Sequence, residues 1–472
     1  MNDMSGIFNR RRNLAPEDLA SPDLMKLLLR LGLPAMAGLS INAAHHTINM
    51  FFVGMIGGEE IAAIMIVLPI LMMVAAVGEG MGVGVATEVG RALGAGDLPR
   101  ANLLASITLS AGILVGIVAM MAMLLFSGFF LRLFGATENL QPLAAQYLWI
   151  IAISLPLTMA QIILDFLAIA EGNARFSMWT LVACFALNIV LDPIMIFGFG
   201  LGLSGVAIAT ILSQLVALGA YGFYHRRRLG TVSLRMDLHW RDVRHIRPIL
   251  AMGAPTTLTS LVTVAGIAAI LSAAGAHRGE SGIAGLGIAL RLLTVGALPV
   301  IGISLGAQSI LSFAWGRHDA HRVLSASGLL TLLTSGIAFL YGLAVIIWRH
   351  EIAALFASEP DILAIASAAI VASHVPFLLF GFRQTILVLF QAQGRPGSAM
   401  AIGLAQNGYL LFPLLLVLPF YVGFEGLLGA IFISSTLTGL LSIFALLRNY
   451  RSLKALSAGK SHSFRLYPRF CP

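Results

Sequence analysis

The sequence predicts an all-α polytopic membrane protein, with about twelve transmembrane helices in two pseudo-twofold related six-helix lobes. Three observations predict it. The 472 residues are 58% apolar and only 11% charged, against roughly 25% charged in an average soluble chain. Mean hydropathy is +0.92, and continuous apolar stretches recur from end to end. The chain also resembles itself after a shift of 221–222 residues. These features exclude a soluble domain, a disordered chain and a secreted disulfide scaffold. The apolar runs do not alternate over about ten residues, which excludes a β-barrel. The 2 cysteines, Cys184 and Cys471, permit no metal spacing and no disulfide framework. Residues 1–23 are polar and carry Arg10, Arg11 and Arg12, so no cleavable signal peptide is read there.

Spans are read at 27–56, 61–90, 101–130, 143–170, 177–198 and 203–224 in the first half. The second half has spans at 249–276, 282–313, 323–348, 362–392, 399–421 and 426–447. Each supplies the roughly 20 apolar residues that cross a bilayer core. The organisation is then a short cytoplasmic segment 1–24, a six-helix lobe 25–225, a basic linker 226–247, a second lobe 248–448 and a tail 449–472.

Taken in order, the first span carries Asn42, His45 and Asn49 at i, i+3 and i+7, on one helix face. The second holds Glu79 inside the run Val77-Gly78-Glu79-Gly80-Met81-Gly82-Val83-Gly84. That run is no phosphate loop, because no strand precedes it and no lysine follows. Its glycines let helices approach closely. The fourth span carries Gln161 and Asp165, the fifth Asn188 and Asp192, and the sixth Thr210 and Gln214, each pair at i, i+4. Such stripes face the protein interior or water, because lipid cannot satisfy them. Pro193 follows Asp192 directly and removes a backbone donor beside the acid. The second half has Arg291 and Arg383 within spans but no mid-span carboxylate; Asp361 and Glu425 stand at span ends.

The net charge of +8 is a matter of orientation. One set of span ends collects 24 of the 29 basic residues, among them Arg91, Arg100, Arg175, Arg226, Arg227, Arg228, Arg235, Arg241, Arg317, Arg322, Arg395, Lys460, Arg465 and Arg469. The other set has only Arg132, Arg278 and Arg349, beside eight acids. The positive-inside rule puts both termini in the cytoplasm, and nucleic-acid binding is not expected. The repeat pairs Gly32-Leu33-Pro34 with Gly253-Ala254-Pro255, Gly94-Ala95-Gly96-Asp97 with Gly316-Arg317-His318-Asp319, and Glu171-Gly172 with Gln393-Gly394. Six spans per half make it a parallel repeat about the membrane normal, as in transporters that work by alternating access.

Ionisable groups inside a span are expensive, by about 2.5–3.5 kcal/mol on insertion scales, and point to function. Here they concentrate in the first half: Asp165, Asp192 and Glu79. Two buried acids either exchange a proton or, with amide and hydroxyl oxygens, hold Na⁺. Glu79, Gln161, His45 and Arg291 are candidates for a substrate cleft, and each has a plainer role as an interhelical strut. His45 and His46 either titrate near neutral pH or hydrogen-bond a neighbour.

Asn188-Ile189-Val190-Leu191-Asp192-Pro193, Glu171-Gly172-Asn173-Ala174-Arg175, Leu93-Gly94-Ala95-Gly96-Asp97 and the G-x-P opening each half resemble the multidrug and toxic compound extrusion (MATE) family over roughly residues 25–450. The resemblance implies twelve helices in two lobes. It implies export of amphipathic, often cationic compounds driven by H⁺ or Na⁺ entry. The family's first-lobe cation site has an Asp on helix 1, an Asn on helix 4, an Asn and an Asp on helix 5 and a Thr on helix 6. Asn188, Asp192 and Thr210 match; Asn49 stands at the helix 1 position and Asp165 at the helix 4 position. Acid and amide thus exchange places, which reads as a compensated rearrangement of one shared site. Ile169 stands where an arginine is expected before the E-G-N element.

The expectation is a cation-coupled antiporter of the inner membrane, not an enzyme, with no cofactor besides the coupling H⁺ or Na⁺. Its partners are an amphipathic small-molecule substrate and the lipid bilayer, with no obligate protein partner. The alternative is a lipid-linked precursor flippase of the same superfamily.

Overall fold

The computed structural model describes residues 19–234 and 244–458. The predicted basic residues Arg10, Arg11, Arg12, Arg235, Arg241, Lys460, Arg465 and Arg469, together with Cys471, lie outside the described residues.

The described chain is helical throughout: α1 Leu24–Gly54, α2 Gly58–Gly94, α3 Leu98–Leu125, α4 Ser127–Leu133, α5 Gln141–Ala152, α6 Leu155–Ala170, α7 Ala174–Pro193, α8 Gly202–Arg226, α9 Ile246–Gly316, α10 Ala320–Ile347, α11 Arg349–Ala354, α12 Pro360–Phe377, α13 Phe380–Ala392, α14 Pro396–Leu404 and α15 Leu411–Ser457. Nine helical stretches are long and apolar enough to cross a membrane, and ten if α5 and α6, bent by 49°, form one span. Two of those ten contain a break. α9 is interrupted at Gly279 (φ 56°) and α15 at Gly423 (φ 66°), in backbone that favours glycine. Counting each of these as two gives twelve spans among the described residues.

Local chemistry explains the boundaries. Asp97 caps α3 by accepting the Arg100 N–H at 3.1 Å, and Asp319 caps α10 on the Arg322 N–H at 2.9 Å. These are the two copies of the G-x-x-D element of the repeat. α6 begins at Leu155-Pro156, where proline needs no helical donor. After Pro193 the chain continues as a π-turn over Ile194–Gly198, because proline breaks the i→i−4 ladder.

The chain divides into two compact units. The first runs over Ala37–Gly253, and the second joins Asp23–Met36 to the chain from Ala254 onward. Lobes cut at 25–225 and 248–448 therefore differ from the packed units at the start of each half. Two glycine seams explain the difference. Gly80 and Gly84 of α2 lie so close to α9 that a Cβ on Gly84 would overlap the Ile249 carbonyl, and one on Gly253 would overlap the Gly80 carbonyl. In the second unit Gly302 and Gly306 meet the backbone of Met36 and Gly32 in the same way. The seams are one repeated element, since 302 − 80 and 306 − 84 both equal 222. Without side chains in the way, backbones approach and gain dispersion contacts. In the first unit, one apolar core gathers Val67, Ile70, Leu148, Ile151, Leu155 and Val206. Large apolar side chains such as Leu416 (79% exposed) and Phe420 (82%) point outward, as lipid-facing residues do.

Candidate functional site

Within the first unit α1 and α7 carry matched polar rungs. His45 and Asn49 share a face of α1, and Asn188 and Asp192 share a face of α7. The His45 Nε2 meets the Asn188 side-chain amide at 2.5 Å, and Asn49 Nδ2 donates to Asp192 Oδ2 at 3.5 Å. Both rungs step four residues on both helices, about 6 Å of rise. One orientation of the Asn188 amide satisfies every neighbour with His45 Nε2 as an acceptor. Its Nδ2 then donates to His45 Nε2 and, at 3.3 Å, to Asp192 Oδ2, while its Oδ1 accepts the Thr210 backbone N–H at 3.2 Å. Asn188 therefore ties α1, α7 and α8 together. The Phe185 ring stacks on the His45 imidazole with centroids 4.5 Å apart. Tyr147 of α5 lies near Asp192.

Asn188 and Asp192 are 2% and 1% exposed. Asp192 Oδ1 and His45 Nδ1 are buried with no hydrogen-bond partner among the described residues. No lysine or arginine pairs with Asp192 there. A lone buried carboxylate with a free oxygen, flanked by amide and imidazole groups, is suited to binding a proton or a small hard cation.

The structure does not bring Asp165 into this cluster. Asp165 Oδ1 accepts from the Tyr221 hydroxyl and, at 3.1 Å, from Ser177 Oγ. Ser177 lies in the first turn of α7 and Asp192 near its end. The 15 residues between them span roughly 22 Å of helix. The reading of Asp165, Asp192, Asn188, Asn49 and Thr210 as one shared site is thus corrected to two buried acids at different depths. The i, i+4 spacing on separate helices fixes faces but not depths. Thr210 joins the cluster through Asn188, whose Oδ1 accepts the Thr210 backbone N–H, while the Thr210 hydroxyl donates to the Val206 carbonyl at 3.0 Å.

The remaining candidates lie elsewhere. Gln161 is buried and hydrogen-bonds Cys184. Glu79 is exposed on α2, and Arg291 is exposed on α9. His45 lines the Asp192 cluster and not a separate cleft feature. Arg383 donates to the Gly403 carbonyl at 3.2 Å and so ties α13 to α14.

Three participants were not singled out from sequence: Tyr147, Ser177 and Tyr221. Tyr221 follows Gln214 by seven residues on the polar face of the sixth span, so its periodicity carried the signal. Ser177 and Tyr147 offered none, since one small hydroxyl and one aromatic are ordinary in apolar helices.

A third acid sits beyond the end of α6. Glu171 accepts from the Tyr224 hydroxyl at 3.0 Å and from the backbone N–H groups of Thr231 (3.3 Å) and Val232 (3.0 Å). Asn102 Oδ1 accepts the Ser233 N–H at 2.8 Å. The first residues of the linker are thereby fastened to the first unit. Burial pushes the Glu171 carboxyl up to about 7, against the opposing pull of the Tyr224, Val232 and Thr231 donors.

The family model MatE matches residues 34–194 and 255–417, one match in each half. The chain belongs to the MATE family of transporters. The transporter is 28% identical over 424 residues to the multidrug export protein MepA of Staphylococcus aureus (strain MSSA476), covering 88% of this chain and 92% of MepA. It is 26% identical over 433 residues to MepA of Staphylococcus haemolyticus, covering 89% and 93%. Among solved structures it resembles an outward-facing multidrug resistance MATE transporter of the MOP superfamily (TM-score 0.86, 23% identity, 94% and 99% coverage). It also resembles a MATE protein in a bent conformation (TM-score 0.86, 24% identity, 95% and 100% coverage). The transporter is a multi-pass membrane protein with the two-lobe MATE fold.

Proposed function

We propose that this transporter exports amphipathic, cationic drugs or toxic compounds across the inner membrane in exchange for H⁺ or Na⁺. The observation that carries the reading is Asp192: 1% exposed, with one oxygen unpartnered, at the point where α1, α7 and α8 are joined by hydrogen bonds. An ion bound there changes the bonding among three helices of one unit. It therefore has different affinities for different arrangements of that unit, which is the requirement for coupling. Asn188 and Asn49 are the partners of Asp192, and the Thr210 N–H holds Asn188 in place. Asp165, on its own network with Tyr221 and Ser177, is a separate acid and not a ligand of the same ion. The basic-residue asymmetry supports an orientation with both termini in the cytoplasm.

The MepA relatives, multidrug export proteins by name, favour drug export over a lipid-linked precursor flippase. The test is export itself. An efflux-deficient bacterium expressing the transporter and preloaded with ethidium is expected to lose the dye faster than vector controls, and to stop when an uncoupler collapses the ion gradients. Ethidium loss equal to the vector control overturns the reading.

A further inference from the structure

Within the second unit, a basic cavity of about 460 Å³ lies where α13, α14 and α15 meet. That volume falls in the roughly 300–1,000 Å³ range of small-molecule sites. Arg395, Arg448, Ser398 and Ser452 line it together with Phe390 and Phe444, and no carboxylate does. Phe444, Arg448 and Ser452 stand at i, i+4 and i+8 on α15. The wall therefore passes from aromatic to cationic to hydroxyl along about 12 Å of helix. Phe390 near the end of α13 and Arg395 just beyond it repeat that order. Phe444 is 66% exposed, as lipid-facing side chains are, so the apolar end of the cavity opens toward the bilayer. Arg448 has no ion pair among the described residues. Ser398 lies in the first turn of α14, where the helix dipole favours an anion.

The first unit closes the corresponding place with its own chain. Gln393, Arg395 and Ser452 stand where Glu171, Asn173 and Gly230 stand 222 residues earlier. α8 stops at Arg226, and the chain turns back so that the Thr231 and Val232 N–H groups donate to Glu171. Gly230 packs so near Glu171 that a Cβ on it would overlap the carboxyl. α15 instead stays helical to Ser457, past the corresponding point, and no such turn follows. Gln393 replaces the acid and closes on Asn449 through two hydrogen bonds of 2.9 and 2.8 Å. A neutral amide pair, rather than a carboxylate, thus adjoins the two guanidinium groups. Residues 459–472 carry Lys460, Arg465 and Arg469 and no Asp or Glu, so like charge opposes their filling this cavity.

We propose that this cavity binds an anionic phospholipid, with its phosphate between Arg395 and Arg448 and its acyl chains leaving past Phe390 and Phe444. A basic pocket between helices at a membrane face suits an acidic headgroup. Guanidinium groups hold phosphate through paired, charge-assisted hydrogen bonds, and the Ser398 and Ser452 hydroxyls supply further donors. The apolar end makes a lipid the ligand rather than a soluble phosphate, since burying the first acyl methylenes adds to binding. A phosphate shared by Arg395 and Arg448 also ties the start of α14 to α15, so the bound lipid stabilises the second unit.

The test is a lipid titration read by thermal melting of the purified full-length transporter in detergent. Phosphatidylglycerol is expected to raise the melting temperature of the wild type saturably, and phosphatidylcholine to raise it less. Arg448→Gln and Arg395→Gln are each expected to raise the half-saturating phosphatidylglycerol concentration about fivefold, the effect of one basic residue at a membrane surface. Ser452→Phe keeps every charge but fills the cavity from its rim, and is expected to abolish the saturable rise. It keeps the proposal testable if Arg395→Gln fails to fold. Arg226→Gln, the corresponding position of the first half, is expected to leave the titration unchanged. Equal responses to the two lipids overturn the proposal. A weakening by Arg226→Gln as large as that by Arg448→Gln overturns it too, because the effect is then a general basic surface. Glycerol phosphate that stabilises the protein as well as the lipid does would make the ligand a soluble anion and overturn the lipid. A variant ending at Ser457 that binds phosphatidylglycerol more tightly than the full chain would make the tail the occupant, with the same consequence.

Discussion

At the scale of single residues, the buried acids make separable predictions. Glu171 holds its proton up to about pH 7 in the folded protein, against 4.5 ordinarily. Between those values the folded state binds the proton more tightly than the unfolded chain. This carboxyl's contribution to stability is therefore present below about pH 4.5 and is lost as pH rises through about 7. Glu171→Gln is expected to flatten the fall in melting temperature across that window, removing a dependence of roughly 1–3 kcal/mol. An unchanged pH profile of melting contradicts the assignment. Tyr221→Phe removes one of two donors to Asp165 and is expected to destabilise by about 1–3 kcal/mol, because a buried acceptor loses its partner. The pairing is also testable: once Asp165 is Asn, the further loss on Tyr221→Phe should shrink, and simple additivity of the two melting shifts contradicts it. Residue identity was largely legible in the sequence, since Asp192, Asn188, Asn49, Thr210 and His45 do meet. Depth was not. Asp165 shares a helical face pattern with the others, but the neighbours it finds are Ser177 at the start of α7 and Tyr221 of α8.

At the scale of elements, the glycine seams carry the clearest consequence. The run around Gly80 and Gly84 reads in sequence as one that lets helices approach closely, and these glycines are spacers for close backbone contact with the start of α9. Gly84→Ala places a methyl against the Ile249 carbonyl and is expected to cost about 1–3 kcal/mol or more, as overpacking does. Gly219 lies inside α8, and an added methyl there would meet no atom within 4 Å. Gly219→Ala is expected to be neutral or to stabilise by up to about 1 kcal/mol, through helix propensity alone. Thermal melting of both variants side by side checks the contrast, and equal effects contradict it. The twelve spans were legible because each is a long apolar run. The exchange of helix starts between the two units was not, because hydropathy reports that a segment is buried in lipid or protein but not which neighbour covers it. The repeat held the missing signal: Gly80 and Gly84 recur as Gly302 and Gly306.

At the scale of the whole molecule, charge placement sets the expected orientation and the proposed coupling site sets the expected driving force. Arginines gather at one set of helix ends, from Arg91 and Arg100 to Arg395 and Arg448. A fluorescent protein fused after Pro472 is expected to fluoresce in the cytoplasm, and alkaline phosphatase fused at the same point to be inactive; the reverse pair contradicts the orientation. The fold was legible at this scale because composition and repeat both survive without any knowledge of contacts. The central claim is that an ion at Asp192 drives export. Its most direct measurement is ethidium efflux from proteoliposomes under an imposed pH gradient and then a Na⁺ gradient, comparing wild type with Asp192→Asn. The account predicts gradient-driven efflux by the wild type and its loss, by at least about tenfold, in Asp192→Asn. Gradient-driven efflux that persists undiminished in Asp192→Asn would contradict it.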